Sequence, residues 1–285
     1  MAVFKFNGNE LYIDGRLKEN LDKKVIPELK KKDKDAVYAV DGMERCGKSV
    51  FSLITGSYVA SCLGSPFDLS NICLNPQEFR DKCMNAEKNS VIIYDEAHRG
   101  MASSRSLSEI NNILKDLMME MGQRNLFVLV VLPSFFLLDK YAALFRTRGL
   151  FHVYERKGMR GFWCFFNRKY KLKLYQYGKK DLNYNCMRWP KFRGRFLDQY
   201  PISESEYRKK KSESFSEKKR ITKAEVWMAQ RNKIIWLLHK KYKLGAINLT
   251  KLLNEYDIPL QKSQIGEILA TFGGTSLENT PTPTP

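Results

Sequence analysis

The chain has 285 residues, of which 43% are hydrophobic, and it carries a formal net charge of +18. This length and composition are sufficient for a sizeable folded core in one or two domains. The longest apolar run, residues 126–132, is far shorter than the roughly 20 residues that span a bilayer, so we expect no transmembrane segment.

The first predicted elements flank a loop that contains two glycines. Residues 36–40 (AVYAV) have the composition of a β-strand, and residues 48–62 have that of a helix. The loop between them matches the spacing of a phosphate-binding loop, in which two glycines let backbone N–H groups turn inward and the helix N-terminus favours negative charge. The loop and the residue after it are Gly42, Met43, Glu44, Arg45, Cys46, Gly47, Lys48, Ser49 and Val50.

This pattern predicts a binding site for ATP and Mg²⁺. Lys48 would neutralise the β- and γ-phosphates, and the hydroxyl of Ser49 would coordinate Mg²⁺. The alternative is a glycine-rich turn that binds no ligand. The strand before the loop and the helix after it favour the phosphate-binding interpretation.

Two acidic residues follow the next long apolar run, "SVIIYDE". Asp95 is predicted to hold Mg²⁺ through water, and Glu96 to orient and deprotonate the attacking water. The alternative is an exposed acidic turn. The order of the two motifs favours ATP hydrolysis.

The fully apolar run at residues 126–132 predicts another strand. Such continuous runs, separated by helical segments, indicate a buried parallel sheet and therefore an α/β domain over residues 1–155.

The composition changes after residue 155, and residues 156–202 are predicted to form a basic, β-rich extension with a hairpin. Residues 151–200 contain thirteen Lys or Arg against three acidic residues. Basic side chains can contact phosphates of DNA in any sequence, and the aromatic residues between them either stack on bases or form the core face of the hairpin.

The C-terminal part begins with a charged segment, residues 203–222, predicted to be a solvated linker or a surface helix. Residues 223–273 have helical periodicity and predict a small all-α, helix-turn-helix-like module. Gln261, Lys262, Ser263 and Gln264 would then reach DNA, with Ile265, Ile268 and Leu269 on the core face. A protein interface is the alternative use of this module. Residues 274–285 have the composition of a disordered tail.

The segments "DGMERCGKSV", "VIIYDEAHRG" and "MGQRNLFVLVVLPSFFLLDKY" resemble the ATPase cores of FtsK–HerA-type DNA translocases, including zonula-occludens-toxin-like and viral DNA-packaging ATPases. The resemblance covers about residues 36–155. It implies a RecA-like P-loop core of the additional-strand, catalytic-glutamate type, in which the strand at 125–132 lies between the loop strand and the Asp95 strand. It further implies a homo-oligomeric ring, hexameric or pentameric, that moves double-stranded DNA without sequence preference.

Ring ATPases of this kind complete the site with an arginine from the next subunit, because the transferred phosphoryl group needs a nearby cation. Arg146 and Arg148 are the favoured catalytic candidates. The other arginines considered are Arg99, Arg105 and Arg124.

Two features depart from the FtsK–HerA pattern. Glu44-Arg45 stand where small residues and Thr or Ser are usual, and an Arg in this place is closer to the loop of viral large terminases. Pro133-Ser134 stand where many translocases carry a Gln or Asn that senses the γ-phosphate. The resemblance therefore leaves two branches open, an FtsK–HerA-like pump and a terminase-like packaging motor.

The sequence thus predicts a DNA-translocating ATPase, of the kind that packages a viral or mobile-element genome with a capsid, portal or other assembly protein as partner. Two alternatives are an ATP-dependent regulatory or assembly switch and a membrane-associated phage-extrusion ATPase. The six cysteines form no Cys-x-x-Cys pair, and the three histidines lie far from them in sequence. This spacing disfavours a zinc site or a disulfide framework and favours a reducing cytoplasm. For a viral protein this is the cytoplasm of the host, and association with the virion is the alternative location.

Overall fold

The computed structural model describes residues 2–95, 111–112, 124–186, 190–216, 223–256, 258 and 260–273. The chain divides into two compact units, Met1–Ser216 and Glu217–Pro285. The first unit is an α/β fold, and the described part of the second unit is helical.

Nine strands and six α-helices are described in the first unit. The strands are β1 (Ala2–Phe6), β2 (Asn9–Ile13), β3 (Ala36–Asp41), β4 (Ile72–Cys73), β5 (Val91–Asp95), β6 (Phe127–Val131), β7 (Gly149–Arg156), β8 (Met159–Asn167) and β9 (Phe192–Arg195). The helices are α1 (Gly15–Asn20), α2 (Ile26–Lys31), α3 (Lys48–Leu63), α4 (Pro76–Asn85), α5 (Arg168–Gly178) and α6 (Glu204–Ser216).

The central sheet has seven strands in the order β4, β5, β6, β3, β7, β8 and β9. The first five are parallel to one another, whereas β8 and β9 extend the sheet as antiparallel strands. The α/β architecture and the mostly parallel sheet are as the sequence predicts. The placement of the strand at 125–132 between the loop strand and the Asp95 strand is also confirmed, since β6 pairs with β3 and with β5.

Helices cover both faces of this sheet. Successive residues of β3 alternate between two cores, with Tyr38 and Val40 in one and Val37 and Ala39 in the other. The first core also contains buried residues of α1, α2 and α3, and the second contains residues of α4 and α5. Burial on both faces explains why the central strands are apolar throughout instead of alternating.

The N-terminal hairpin is a separate two-stranded sheet. Asn7 and Gly8, with φ values of 47° and 79°, form its two-residue turn, and Phe6 pairs with Asn9. Asn-Gly is the dipeptide that such a turn favours because both central residues need positive φ.

The β-rich extension predicted at residues 156–202 begins as a hairpin, because β7 and β8 are joined at Lys157-Gly158. Its strands continue the central sheet, and Trp163 is fully buried. Residues 168–178 are helical, and Asn167 caps this helix by accepting a hydrogen bond from the N–H of Tyr170 at 3.0 Å. The extension therefore belongs to the same compact unit as the preceding α/β core.

The charged segment predicted as a linker or a surface helix contains α6, which is part of the first unit. Tyr207 on this helix is only 3% exposed. Residues 217–222 lie outside the described part of the chain.

The second unit contains α7 (Lys223–Tyr242), α8 (Ala246–Glu255) and α9 (Lys262–Gly273). Ile265 and Ile268 lie in its core, as predicted, and Leu269 packs against that core. The residues predicted to reach DNA, Gln261, Lys262, Ser263 and Gln264, are exposed. The tail predicted at residues 274–285 lies outside the described residues. No helix in the described ranges has both the length and the apolarity needed to cross a bilayer.

Candidate functional site

A loop at the carboxyl end of β3 connects that strand to α3. Gly42 has a φ of 143°, and a β-carbon there would lie 1.9 Å from the carbonyl oxygen of Val153. Gly47 has a φ of 96°, and its β-carbon would lie 2.9 Å from Cζ of Phe196. Both positions therefore require glycine, as expected for a loop whose backbone must turn tightly.

The residues between the two glycines differ in exposure. Met43, Glu44 and Arg45 are exposed, and Arg45 has a positive φ of 61°. Cys46 is buried, with Sγ 3.3 Å from the carbonyl oxygen of Val153, and burial raises the pKa of its thiol. The loop thus presents Glu44 and Arg45 at its rim, while Cys46 fixes it to β7.

Lys48 lies at the start of α3 and folds back over the loop. Its Nζ donates hydrogen bonds to the carbonyl oxygens of Gly42 at 2.6 Å and Met43 at 2.8 Å. The residue is only 6% exposed, and burial lowers the pKa of its ammonium group. Lys48 is therefore held inside the loop, next to the place where a phosphate would enter.

The N-terminus of α3 faces the same loop. Gly47 precedes the helix and accepts the first intrahelical hydrogen bond, from the N–H of Phe51 at 3.0 Å. In any helix the N–H groups of the first turn have no intrahelical acceptor and can bind an anion. Here these are the N–H groups of Lys48, Ser49 and Val50. The side chain of Val50 is buried in the core, so this residue offers only its backbone.

Asp95 ends β5 at the same edge of the sheet. It is 3% exposed, and its Oδ2 accepts hydrogen bonds from the hydroxyl of Tyr207 and, at 3.0 Å, from Nζ of Lys211. Burial raises the pKa of this carboxyl, but the charge of Lys211 and the hydrogen bonds from Tyr207 and Lys211 outweigh burial and lower it. Asp95 is therefore an ionised, buried carboxylate.

Ser49 and Asp95 converge on one point. Nζ of Lys211 lies 3.4 Å from Oγ of Ser49 while it contacts Asp95, so one ammonium group bridges the two side chains. The sequence predicts these two residues as metal ligands from motifs 46 positions apart, and the fold brings them together.

Two functional residues of α6 at this point were not predicted from the sequence, in which their segment was interpreted as a solvated linker or a surface helix. Tyr207 and Lys211 are separated from Asp95 by more than 110 residues, and only long-range packing brings them to it. The available signal was their i, i+4 spacing, which places both side chains on one face of a helix.

Asp41, the residue before Gly42, forms a second buried network. Its Oδ2 accepts hydrogen bonds from the N–H of Phe135 at 2.8 Å and from the hydroxyl of Tyr184, and its Oδ1 lies 2.8 Å from Nδ1 of His152. Oγ of Ser134 lies 2.9 Å from the Tyr184 hydroxyl. This network ties the start of the loop to the segment after β6, where Pro133-Ser134 depart from the FtsK–HerA pattern.

The loop borders a cleft of about 660 Å³, within the usual size range of small-molecule sites. Residues 44–50 form one wall, and the others come from β8, from β9 with the segment after it, and from α6. The lining is strongly cationic, which suits a polyphosphate ligand. Its cationic members are Arg45, Lys48, Arg160, Arg195, Arg208 and Lys211.

Of the remaining predicted catalytic residues, the two that the structure describes, Arg146 and Arg148, do not line this cleft. Glu96 lies outside the described residues, as do Arg99 and Arg105. Arg148 lies at the amino end of β7, where its guanidinium pairs with Glu28 at 2.5 Å, and Arg146 lies two residues before it. Since the loop follows the carboxyl end of β3, these arginines do not reach the loop of their own chain.

The donor set at Ser49 and Asp95 fits Mg²⁺. Magnesium is typically held by one or two carboxylates together with substrate phosphates and waters, not by a cage of protein ligands. Among the residues that the structure describes, no group of three or more His, Cys, Asp or Glu could hold a metal alone. A metal here would therefore depend on the phosphates of a bound nucleotide.

Comparisons with known proteins give no family for this chain. No protein-family model matches it, and no curated protein matches it significantly.

Proposed function

We propose that this protein is a P-loop ATPase with a RecA-like core of the additional-strand, catalytic-glutamate type. The observation that carries the proposal is the convergence of Ser49 and Asp95 beside the glycine-dependent loop that holds Lys48. A cationic cleft of sufficient size for a nucleotide opens at this point.

Each residue has a distinct role in this proposal. The N–H groups of the loop and of the first turn of α3 bind the phosphates, and Lys48 neutralises their charge. Ser49 and Asp95 hold Mg²⁺, which when bound stabilises the charge on the β- and γ-phosphates. Glu96, which follows Asp95 directly, orients the attacking water and accepts its proton.

The first test measures ATP hydrolysis by wild type and Lys48→Ala. We expect the substitution to reduce turnover to background, because the transferred phosphoryl group loses its principal cation. Lys34→Ala, at an exposed position, is the matched control and should keep wild-type activity. Equal turnover in wild type and Lys48→Ala would contradict the assignment of the site.

We further propose that hydrolysis drives the movement or packaging of DNA by a ring of identical subunits, with a capsid, portal or other assembly protein as partner. The net charge of +18 and the thirteen basic residues against three acidic ones in residues 151–200 support a polyanionic partner. An arginine from the neighbouring subunit, Arg146 or Arg148, would complete the site.

The second test adds duplex DNA at several salt concentrations and measures binding, ATP turnover and particle mass. We expect binding that weakens as salt rises, turnover stimulated by DNA of any sequence, and a ring-sized particle with ATP. Absence of binding and of stimulation at low salt would contradict translocation while leaving the ATPase proposal intact.

One observation favours a second candidate, an ATP-dependent switch. Since α6 contacts Asp95 and Ser49, a change at the nucleotide site also changes the surroundings of α6. A switch would show very slow turnover that DNA does not alter, together with an ATP-dependent change in partner binding.

A further inference from the structure

The ammonium group of Lys211 lies between the two proposed metal ligands. Its Nζ is 3.0 Å from Oδ2 of Asp95 and 3.4 Å from Oγ of Ser49. The side chains of Lys211 and Asp95 are 12% and 1% exposed, so this ion pair is largely shielded from water. The chain itself thus supplies a cation at the place where Ser49 and Asp95 would hold the metal.

The fold holds this ammonium group in place from several sides. The hydroxyl of Tyr207 bonds to Asp95 and lies 3.0 Å from Nζ of Lys211. The preceding residue, Lys210, donates hydrogen bonds to the carbonyl oxygens of Leu69 at 3.0 Å and Ile72 at 2.5 Å and pairs with Glu78 at 2.7 Å. Two adjacent lysines therefore dock α6 on separate partners, and the position of Lys211 does not depend on one surface contact.

Lys211 and a metal ion would need the same two side chains. Magnesium approaches its ligand oxygens to about 2.1 Å, so a metal ion held by Ser49 and Asp95 would lie only a few ångströms from an ammonium group that contacts both. Two positive charges at such a short distance also repel each other strongly in a buried site. A lysine ammonium can, however, bind phosphate as a point charge.

We propose that Lys211 sets the metal dependence of nucleotide binding, because its ammonium group and Mg²⁺ exclude each other at Ser49 and Asp95. This inference rests on the proposed nucleotide site. Without Mg²⁺, Lys211 supplies the cation that favours the phosphates. With Mg²⁺, the metal gains its ligands only when Lys211 leaves Asp95. Breaking this ion pair reduces the factor by which Mg²⁺ strengthens nucleotide binding.

The test is a thermodynamic cycle of binding measurements. The dissociation constant of a fluorescent, slowly hydrolysed ATP analogue is measured in excess EDTA and in excess Mg²⁺. The proteins are wild type, Lys211→Met, Lys211→Gln and the control Lys209→Met. Lys209 is the neighbouring lysine on α6, its side chain is 76% exposed, and its loss removes the same charge away from Asp95.

The quantity compared is the factor by which Mg²⁺ strengthens binding. We expect this factor to be at least about tenfold larger in Lys211→Met than in wild type, the size of effect that a single charged hydrogen bond produces. Lys209→Met should keep the wild-type factor. The Gln variant retains a donor toward Asp95, so it protects the buried carboxylate if the Met variant folds poorly, and it should show the same increase.

Two outcomes overturn the proposal. An equal Mg²⁺ factor in wild type and both Lys211 variants shows that the lysine and the metal do not compete. If wild type binds no nucleotide under either condition, the proposed ATP site fails and this inference fails with it, whereas binding with an unchanged factor contradicts only the role of Lys211.

Discussion

Asp41 and His152 are directly paired on the adjacent parallel strands β3 and β7, and Nδ1 of His152 lies 2.8 Å from Oδ1 of Asp41. Asp41 is fully buried, and its other oxygen accepts hydrogen bonds from Phe135 and Tyr184. One carboxylate thus connects the start of the loop after β3 with β7, with the segment after β6 and with the segment after α5. The loop is held by polar contacts beneath it as well as by its glycines.

Asp41→Asn tests this role. The amide keeps the size of the side chain but places N–H donors where the carboxylate accepted hydrogen bonds, so a buried donor of the network loses its acceptor. We expect a loss of about 2 kcal/mol in the free energy of unfolding, measured by urea denaturation. Asp81→Asn, at an exposed position on α4, should change stability by less than about 0.5 kcal/mol. Equal effects of the two substitutions would show that the network does not contribute.

Gly42→Ala should be more damaging than an alanine at an ordinary positive-φ glycine. The new β-carbon would meet the backbone of Val153 at 1.9 Å, so the loop or β7 must shift. We expect a loss of about 3 kcal/mol in stability and loss of nucleotide binding. Gly64, with a φ of 72° and no atom within 4 Å of the added carbon, is the matched control. Its alanine variant should lose only about 1 kcal/mol and keep nucleotide binding, measured by chemical denaturation and by titration with a fluorescent analogue.

The glycine spacing and the apolar runs made the core of this fold predictable. Gly42 and Gly47 mark backbone positions that no other residue fits, and strands buried on both faces, such as β6, have a continuous apolar composition. These are local signals, so a single sequence carries them. The Asn7-Gly8 hairpin was equally visible in its dipeptide, although the sequence analysis passed over it.

Other parts depend on contacts that a local pattern does not reveal. Residues 168–178 alternate basic and apolar side chains as an edge strand would, but the Asn167 cap and the burial of Leu174 and Tyr175 make them a helix. Segment 203–216 has the composition of a solvated helix. Its function in the fold depends on Tyr207 and Lys211, which meet Asp95 only in the folded chain.

Arg148 and Glu28 form a half-buried ion pair between β7 and α2. We expect Arg148→Ala and Glu28→Gln to lower the free energy of unfolding by similar amounts, with a coupling energy of about 1 kcal/mol in the double-mutant cycle. Chemical denaturation of the two single variants and the double variant measures this coupling. Additive effects would show that the pair contributes nothing to stability.

The same variants test Arg148 as the trans arginine that the resemblance implies. An arginine finger contributes about a thousandfold or more to turnover, so Arg148→Ala would then abolish ATPase activity in the assembled ring. Glu28→Gln would release Arg148 from its ion pair, so ATP turnover would equal or exceed that of wild type. If both variants instead lose the same small fraction of activity, Arg148 acts only through its ion pair, and Arg146→Ala becomes the decisive variant.

Lys171 gives a prediction for the dependence of stability on pH. This lysine of α5 is fully buried, and its Nζ donates to the carbonyl oxygens of Ala143 and Leu144 and to Oγ1 of Thr147. Burial, with a smaller contribution from the charge of Arg168, lowers the pKa of its ammonium group to about 7. The folded state therefore releases this proton near neutrality, whereas the unfolded chain holds it until about pH 10.4.

Between these two values the unfolded state binds more protons, so stability rises with pH by up to about 1.4 kcal/mol per unit from this group alone. Relative to Lys171→Met, the free energy of unfolding of wild type should therefore rise by about 2 kcal/mol between pH 7.5 and pH 9.5. Urea denaturation at each pH measures this change. Lys169→Met, at an exposed position on the same helix, should follow the wild-type curve. Parallel curves for wild type and Lys171→Met would show that Lys171 stays protonated in the fold, held by its three oxygen acceptors.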